Sequence, residues 1–513
     1  MKVVLINPPW YSPLPQKFQT SNLGLSYLAA FFREKGHTII PIDALFDTPN
    51  FSVQVVPIQF KYQQVYLVGI PYSEIVNQIP KDTDLIGIAG PTTNHAQILR
   101  ELSAEIKKKY PNTKILIGGP YPSTLPEDIP SLSVDFAING EPEVVLKKYL
   151  EGVPLKEIKG LIFKEGEQWI FNGKAELPED LDSIPFPARD VFHCNELIEK
   201  DSLTKRREGA AIITDTIRSA PIVLSRGCPH GCRFCSISIM NGKKWRHRSP
   251  ENIIKEMIEL RDKYNVEEVV FLDDHLIGDR AYFMNLMNLM ISQNIGLSWN
   301  IPNGVRVDYL NDEILQKMKE AGCNLLVLGI QSGSKKMINL MNTGLNLEKV
   351  EPIVKQAHTL GLKMAAFLII GYPGESRKDF FESITFCKNL RKFGLKEWVV
   401  NVARAYPKTY LDTLCQEKGY FVYKDTENLF YFPRQDYEAN IQTPEFTPSE
   451  VIWRRDYAVY SLLSEENPFY WKCVYYLEKT GCKKIMKKII PSRVWDKGKG
   501  IMFNTFNKLN KNT

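Results

Sequence analysis

The chain has 513 residues and a mass of 58.9 kDa, with 44% hydrophobic and 24% charged residues. That length suits about three domains, and the composition excludes a largely disordered, collagen-like or disulfide-scaffold protein. Formal net charge is +6, from 65 basic and 59 acidic residues, too mild and mixed to point to a nucleic-acid partner.

Lys2–Asn7 (KVVLIN) is a short apolar run that suits a buried parallel strand. It reads as a first strand, not as a signal peptide. A helix pattern runs from about Leu23 to Lys35 and closes at Gly36. His37–Asp43, Asp84–Ala89, Lys114–Gly118 and Val134–Ile138 follow as strands, with an amphipathic helix from about His95 to Lys109. This alternation predicts a doubly wound parallel sheet, Rossmann-like, with its ligand beyond the carboxyl ends of the strands. Those ends carry Asn7-Pro8-Pro9, Gly90-Pro91-Thr92, Gly118-Gly119-Pro120 and Asn139-Gly140-Glu141. Gly160–Lys164 and Trp169–Phe171 read as a β-hairpin. Leu181–Phe192, rich in proline, reads as an extended linker.

A second series begins at Pro221. Strand candidates are Ile222–Leu224, Glu268–Leu272, Leu297–Asn300, Asn324–Ile330, Lys363–Ile370 and Trp398–Ala403, with helical patterns between them. Six repeats are too few for an eight-fold barrel and predict an open, partial (β/α)6 barrel. After Gly419 the pattern breaks, and a small, mostly helical C-terminal domain is expected. The expected bounds are 1–175, a linker 176–220, 221–420 and 421–513. No apolar run reaches the roughly 18–20 residues that span a bilayer. Nine cysteines are too few for a secreted disulfide framework, so a reducing, cytoplasmic compartment is expected. Residues 483–513 carry a net charge of +8, leaving −2 for the rest.

Three cysteines, Cys228, Cys232 and Cys235, fall in SRGCPHGCRFCS, directly after a strand. Thiolates are soft ligands for zinc, copper(I) or iron–sulfur clusters. Zinc sites usually show two Cys or Cys/His pairs, and no second pair follows. Three ligands in one loop suit a 4Fe-4S cluster with one iron left open.

With Phe234 before the third cysteine, the motif resembles the signature of the radical S-adenosylmethionine (SAM) superfamily. The resemblance covers Pro221–Ala403 and implies that SAM chelates the open iron. It implies SAM contacts from Asp273 and Asp274 after the second strand and from Arg306 after the third. Gln331 and Ser332 after the fourth, and Gly371 within GYPGE after the fifth, complete the set. Many relatives have Glu where this chain has Gln331. The N-terminal half resembles the cobalamin (B12)-binding domain that precedes many such barrels. The matching residues include Pro8, Leu23, Gly24, Asp43, Gly118, Gly119, Gly140 and Glu141, and the linker Ile184–Arg189 also matches. The chain also holds a literal D-x-H-x2-G: Asp273, His275 and Gly278. Its position in the barrel places it in the SAM or substrate wall, so that cobalt has no His ligand from the cobalamin domain, where His37 and His95 lack the Asp and Gly partners.

The resemblance implies an enzyme that cleaves SAM reductively, supplied by an external one-electron reductant of flavodoxin or ferredoxin type. Methylation of an unactivated carbon in a small-molecule or lipid substrate is the expected outcome. Ring formation, oxidation or carbon–carbon coupling without methyl transfer is the alternative. A non-catalytic cobalamin or iron–sulfur sensor is a third reading. Lys244–Arg248 (KWRHR), His247, His275 and Tyr406 are candidate substrate neighbours. Cys323, Cys387, Cys415, Cys473 and Cys482 lack ligand spacing and read as small buried hydrophobes. The basic tail, KKIMKK followed by Ile489, Ile490, Trp495 and Phe503, suits peripheral contact with an anionic membrane.

Overall fold

The computed structural model describes residues 1–12, 22–46, 52–60, 63–201, 218–422 and 439–463. The chain divides into two units, Met1–Arg455 and Asp456–Thr513. Of the second, only residues 456–463 are described, and they are helical. The basic tail and its expected membrane contact lie outside the described residues.

The N-terminal sheet has seven strands in the order Gln168–Phe171, Leu161–Glu165, Phe136–Ile138, Lys114–Gly118, Leu85–Ala89, Lys2–Asn7 and Thr38–Asp43. The last five are mutually parallel and the hairpin joins antiparallel. The strand order reverses between Lys2–Asn7 and Leu85–Ala89, so a crevice forms at their carboxyl ends. Apolar cores lie on both faces of the sheet. The first helix is Leu23–Glu34; the Asn22 side chain accepts from the Leu25 amide as its N-cap.

One piece was not foreseen. Trp10–Ser12, Ser52–Phe60 and Gln63–Gly69 form a separate three-stranded antiparallel sheet. The expected linker is also more structured than its proline content suggested. It holds a 3-10 turn at Leu181–Ser183 and a helix at Cys194–Asp201. It is fastened on both sides as well: the Ala188 amide donates to the Ser26 carbonyl, and Arg189 donates to the Pro221 carbonyl and to Glu256, each at 2.7 Å.

The second sheet has six strands in sequence order, Ser219–Ile222, Glu268–Phe271, Ser298–Val305, Cys323–Gln331, Lys363–Ile370 and Glu397–Val402, all parallel. The first strand starts three residues before the expected one, and its chain then turns into a short ribbon, Ser225–Arg226 paired with Arg246–His247. Beyond the barrel lies a helix, Pro448–Leu463. No helix among the described residues is long and apolar enough to cross a membrane.

Candidate functional site

The ribbon closes the cysteine loop at its base. Gly227 has a positive φ, and a Cβ there would meet the Lys244 carbonyl at 2.3 Å. The Cys228 amide donates to Gly242, the Arg233 amide to Met341 and the Asn342 side chain to Gly231. The three thiols are half-buried. Burial raises each, Cys235 to about 11, while the nearby Arg306 pulls Cys228 and Cys232 back. Among the described residues no three His, Cys, Asp or Glu side chains converge around a single ion. Three thiols on one loop, each for its own iron, nonetheless fit a cluster, and binding as thiolates would displace their protons.

A wall of rings faces this loop. The His230 and His275 rings meet edge to face at 4.8 Å, and Tyr309 packs on His275 at 4.9 Å. The Tyr309 hydroxyl lies 3.3 Å from His230 Nε2. His275 Nε2 is buried without a partner; burial lowers its pKa to about 4, so the ring is neutral at pH 7. The structure also explains the literal D-x-H-x2-G. A Cβ at Gly278 would strike the Trp245 ring at 2.1 Å. Asp273 is fully buried and accepts from the amides of Leu224 and Ser225 at 3.2 and 2.6 Å. Asp and Gly build the loop here, and His275 belongs to the wall.

The expected SAM contacts have the following surroundings within the chain. Asp273 anchors the start of the cysteine loop. Asp274 accepts from Asn241 at 2.6 Å, and the Ser332 hydroxyl bonds Ser383 at 2.8 Å. A Cβ at Gly371 would meet Val451 of the helix Pro448–Leu463 at 2.6 Å. Arg306 stands beside the cysteines with its Nε unpaired. Gln331 is a non-glycine residue at φ +66, backbone strain of the kind found at functional sites. Phe234 is half-buried. KWRHR is no free basic patch: Arg248 pairs with Glu256 at 2.5 Å and Arg246 is buried against Glu141.

Glu141 joins the two domains. Expected at a cofactor, it is 6% exposed and accepts from Arg226 Nη1 at 2.8 Å and from Arg246 Nη1 at 3.0 Å. Arg226 and Arg246 are the two legs of the ribbon. One carboxylate of the N-terminal domain therefore clamps both ends of the cysteine loop, and Glu143 takes the other arm of Arg226 at 2.8 Å. Arg226 did not stand out in the sequence beyond its place beside the motif, and Arg246 stood out only within KWRHR, as a candidate substrate neighbour.

At the sheet's crevice Asn7 donates to Asp43 at 2.7 Å and accepts from Asn22 at 2.9 Å, and Pro8 is buried. Gly119 has φ +107, and a Cβ there would meet the Gly90 carbonyl at 2.9 Å; Gly140 packs on Ala175. A Cβ at Gly118 would meet nothing within 4 Å. Leu23 and Gly24 line a cleft of about 310 Å³ with Tyr27, Val223, Arg226, Arg248 and Leu272. Open space above Gly118 and along the first helix fits a bulky planar group.

Residues 222–387 match the Radical SAM superfamily, and residues 16–150 match the B12 binding domain. The chain is 28% identical over 424 residues to an uncharacterized methyltransferase of Pyrococcus horikoshii, covering 80% of this chain and 82% of that one. It is 27% identical over 424 residues to the cytidylyl-2-hydroxyethylphosphonate methyltransferase of Streptomyces wedmorensis, covering 75% and 77%. Its fold is similar to that of TsrM, a radical S-adenosylmethionine methyltransferase from Kitasatospora setae solved with cobalamin and a 4Fe-4S cluster bound. The TM-score is 0.61 at 16% identity, over 82% of this chain and 79% of that one.

Proposed function

The chain belongs to the cobalamin-dependent radical SAM enzymes, and from that premise we propose that it methylates an unactivated carbon of a small-molecule or lipid substrate. The observation that carries this reading is the clamp: Glu141, at the crevice of the B12-binding sheet, grips Arg226, two residues before Cys228. It ties the crevice loop of one domain to the cluster loop of the other, as a reaction using both cofactors requires. When bound, the cluster, SAM and cobalamin supply the electron, the radical and the methyl group.

The chain's own residues hold and orient. Cys228, Cys232 and Cys235 hold the cluster. Arg306 offers a fixed positive charge beside it for the SAM carboxylate, and Gln331 and Asp274 line the same mouth. Pro8, Leu23, Gly24, Gly118 and Gly119 shape the cobalamin crevice, and Gly140 keeps its loop close. His230, His275 and Tyr309 form a wall of rings beside the loop, in which His275 is buried and neutral. An external one-electron reductant of flavodoxin or ferredoxin type feeds the site, and the basic tail adds contact with an anionic membrane.

Anaerobic reconstitution with iron, sulfide and cobalamin tests the reading. About four irons per chain and bound cobalamin are expected. Added SAM and reductant should yield S-adenosylhomocysteine and 5′-deoxyadenosine. Cys232→Ala should lose the iron and both products, whereas Gly119→Val should lose cobalamin and keep the iron. Iron loading without either product would refute the assignment. For the tail, the full chain should pellet with anionic vesicles at low salt, and a chain ending at Thr480 should not; equal pelleting would remove the membrane contact.

A further inference from the structure

The start of the barrel strands, the end away from the cysteine loop, carries polar groups that the proposed reaction does not use. Glu268 opens the second strand and is 0% exposed; Asn300, in the third, is 1% exposed. Strand pairing sets Glu268 opposite Ser298 and Val270 opposite Asn300, so alternation puts Glu268 and Asn300 on one face. Trp299 takes the other face, the helix side, where its Nε1 donates to Ala321 at 3.0 Å and its ring packs on Phe271. Glu268 and Asn300 therefore point into the barrel. Asn324 joins them: its amide donates to Glu268 Oε2, at a register shift between the third and fourth strands.

Four buried polar atoms at this place have no partner: Glu268 Oε1, Asn324 Oδ1 and both amide atoms of Asn300. Among the described residues Glu268 makes no ion pair. Nearby cations are engaged elsewhere. The Lys319 ammonium donates to the Gly361 carbonyl at 3.2 Å, and the Arg218 guanidinium to the carbonyls of Asn265 and Tyr264, each at 2.8 Å. A buried carboxylate without a counter-charge is strongly unfavourable. Asn300 is an independent sign, an almost wholly buried amide turned inward with nothing to bond.

We propose that Glu268, Asn300 and Asn324 hold a monovalent metal cation inside the strand-start end of the barrel. The donors are all oxygens, hard ligands that suit alkali or alkaline-earth ions over soft metals. One carboxylate balances one positive charge, so a monovalent ion leaves the interior neutral and a divalent one does not. The ion joins the second, third and fourth strands at a level where the three side chains bond one another only through the Asn324 amide.

Thermal unfolding of the full-length protein in KCl, NaCl and choline chloride at one ionic strength tests this. A ligand held only by the native state stabilises by mass action. Tm should therefore rise by about 3–5 °C with K+ or Na+ at a hundredfold excess over Kd, and choline should give no rise. Glu268→Gln, which keeps an acceptor for Asn324, should remove the dependence. Crystals soaked in Tl+ should show an anomalous peak among Glu268, Asn300 and Asn324, a readout that holds even if the variant does not fold. Equal Tm in all three salts, or a water at that position with no anomalous signal, overturns the proposal.

Discussion

On one flank of the barrel Glu141 sits 6% exposed between two guanidiniums; on another Glu375 sits 1% exposed against one. Burial pushes both carboxyls upward. At Glu141 the hydrogen bonds and charges of Arg246 and Arg226 more than offset it, and the net shift is downward. At Glu375 burial wins over the Gly371 amide and Arg454, and the carboxyl rises to about 7 from an ordinary 4.5. The difference is one of stoichiometry. Arg454 divides itself between Glu375 at 3.1 Å and Glu450 at 2.9 Å, whereas Glu141 has two arginines and shares only one of them, with Glu143. A buried carboxylate–arginine contact is therefore not one kind of bond. The first is a permanent clamp at the cysteine loop, and the second is a latch between the GYPGE loop and the helix Pro448–Leu463 that carries a proton near neutrality.

The largest effect should come from breaking the clamp. Glu141→Ala leaves Arg226 to Glu143 alone and the buried Arg246 with only the Pro178 and Asn241 carbonyls, and breaking a buried pair in this way costs about 3–5 kcal/mol. Urea unfolding should show that loss, and hydrogen exchange should rise at Arg226 and Arg246. A Glu141→Ala protein as stable as the parent, with an unchanged ribbon, would end the clamp reading.

How far such a role could be read in advance depends on the distance along the chain. The parallel strands were legible because each is a continuous apolar run, and the cluster loop because its ligands lie within eight residues of one another. Glu141 meets its arginines 85 and 105 residues away, and Asp273 meets its amides 48 and 49 residues away. No local pattern marks such pairs, so a carboxylate at a strand end looks like a ligand contact whether it faces a cofactor or an arginine. The three-stranded sheet was obscured for a different reason. Its first strand, Trp10–Ser12, follows two prolines, and Pro57 interrupts the apolar pattern of its second.

The pH response should separate the two flanks. Glu141 has a depressed folded pKa, so its contribution is present above the ordinary 4.5 and lost as pH falls through the lower folded value. Glu375 has a raised one, so the native state holds a proton that the unfolded chain gives up. Its contribution is full below 4.5 and lost as pH rises through about 7. The span corresponds to roughly 3 kcal/mol. Unfolding free energies from pH 4 to 9 should therefore show a decline between pH 4.5 and about 7 that Glu375→Gln removes and Glu141→Gln leaves. An unchanged decline in Glu375→Gln would assign it to another group.

The smallest effect should follow from removing the latch's arginine. Arg454→Ala strips Glu375 of its cation and Glu450 of one of two, since Arg377 still reaches Glu450 at 2.8 Å. Unlike the arginines around Glu141, the group left buried can neutralise itself by taking a proton, and the Gly371 amide still donates to it at 2.9 Å. At pH 6 the variant should therefore lose only about 1–2 kcal/mol, near the cost of a lost charged hydrogen bond. At pH 8 the loss should grow, because the parent then gains an ionised pair that the variant cannot form. The variant's loosened Pro448–Leu463 helix should also free Val451 from Gly371, a contact that a Cβ at Gly371 would violate. Urea unfolding of parent and Arg454→Ala at pH 6 and pH 8 reads the difference directly. A loss at pH 6 equal to that of Glu141→Ala would mean that Glu375 is ionised in the native state and that the two flanks are held in the same way.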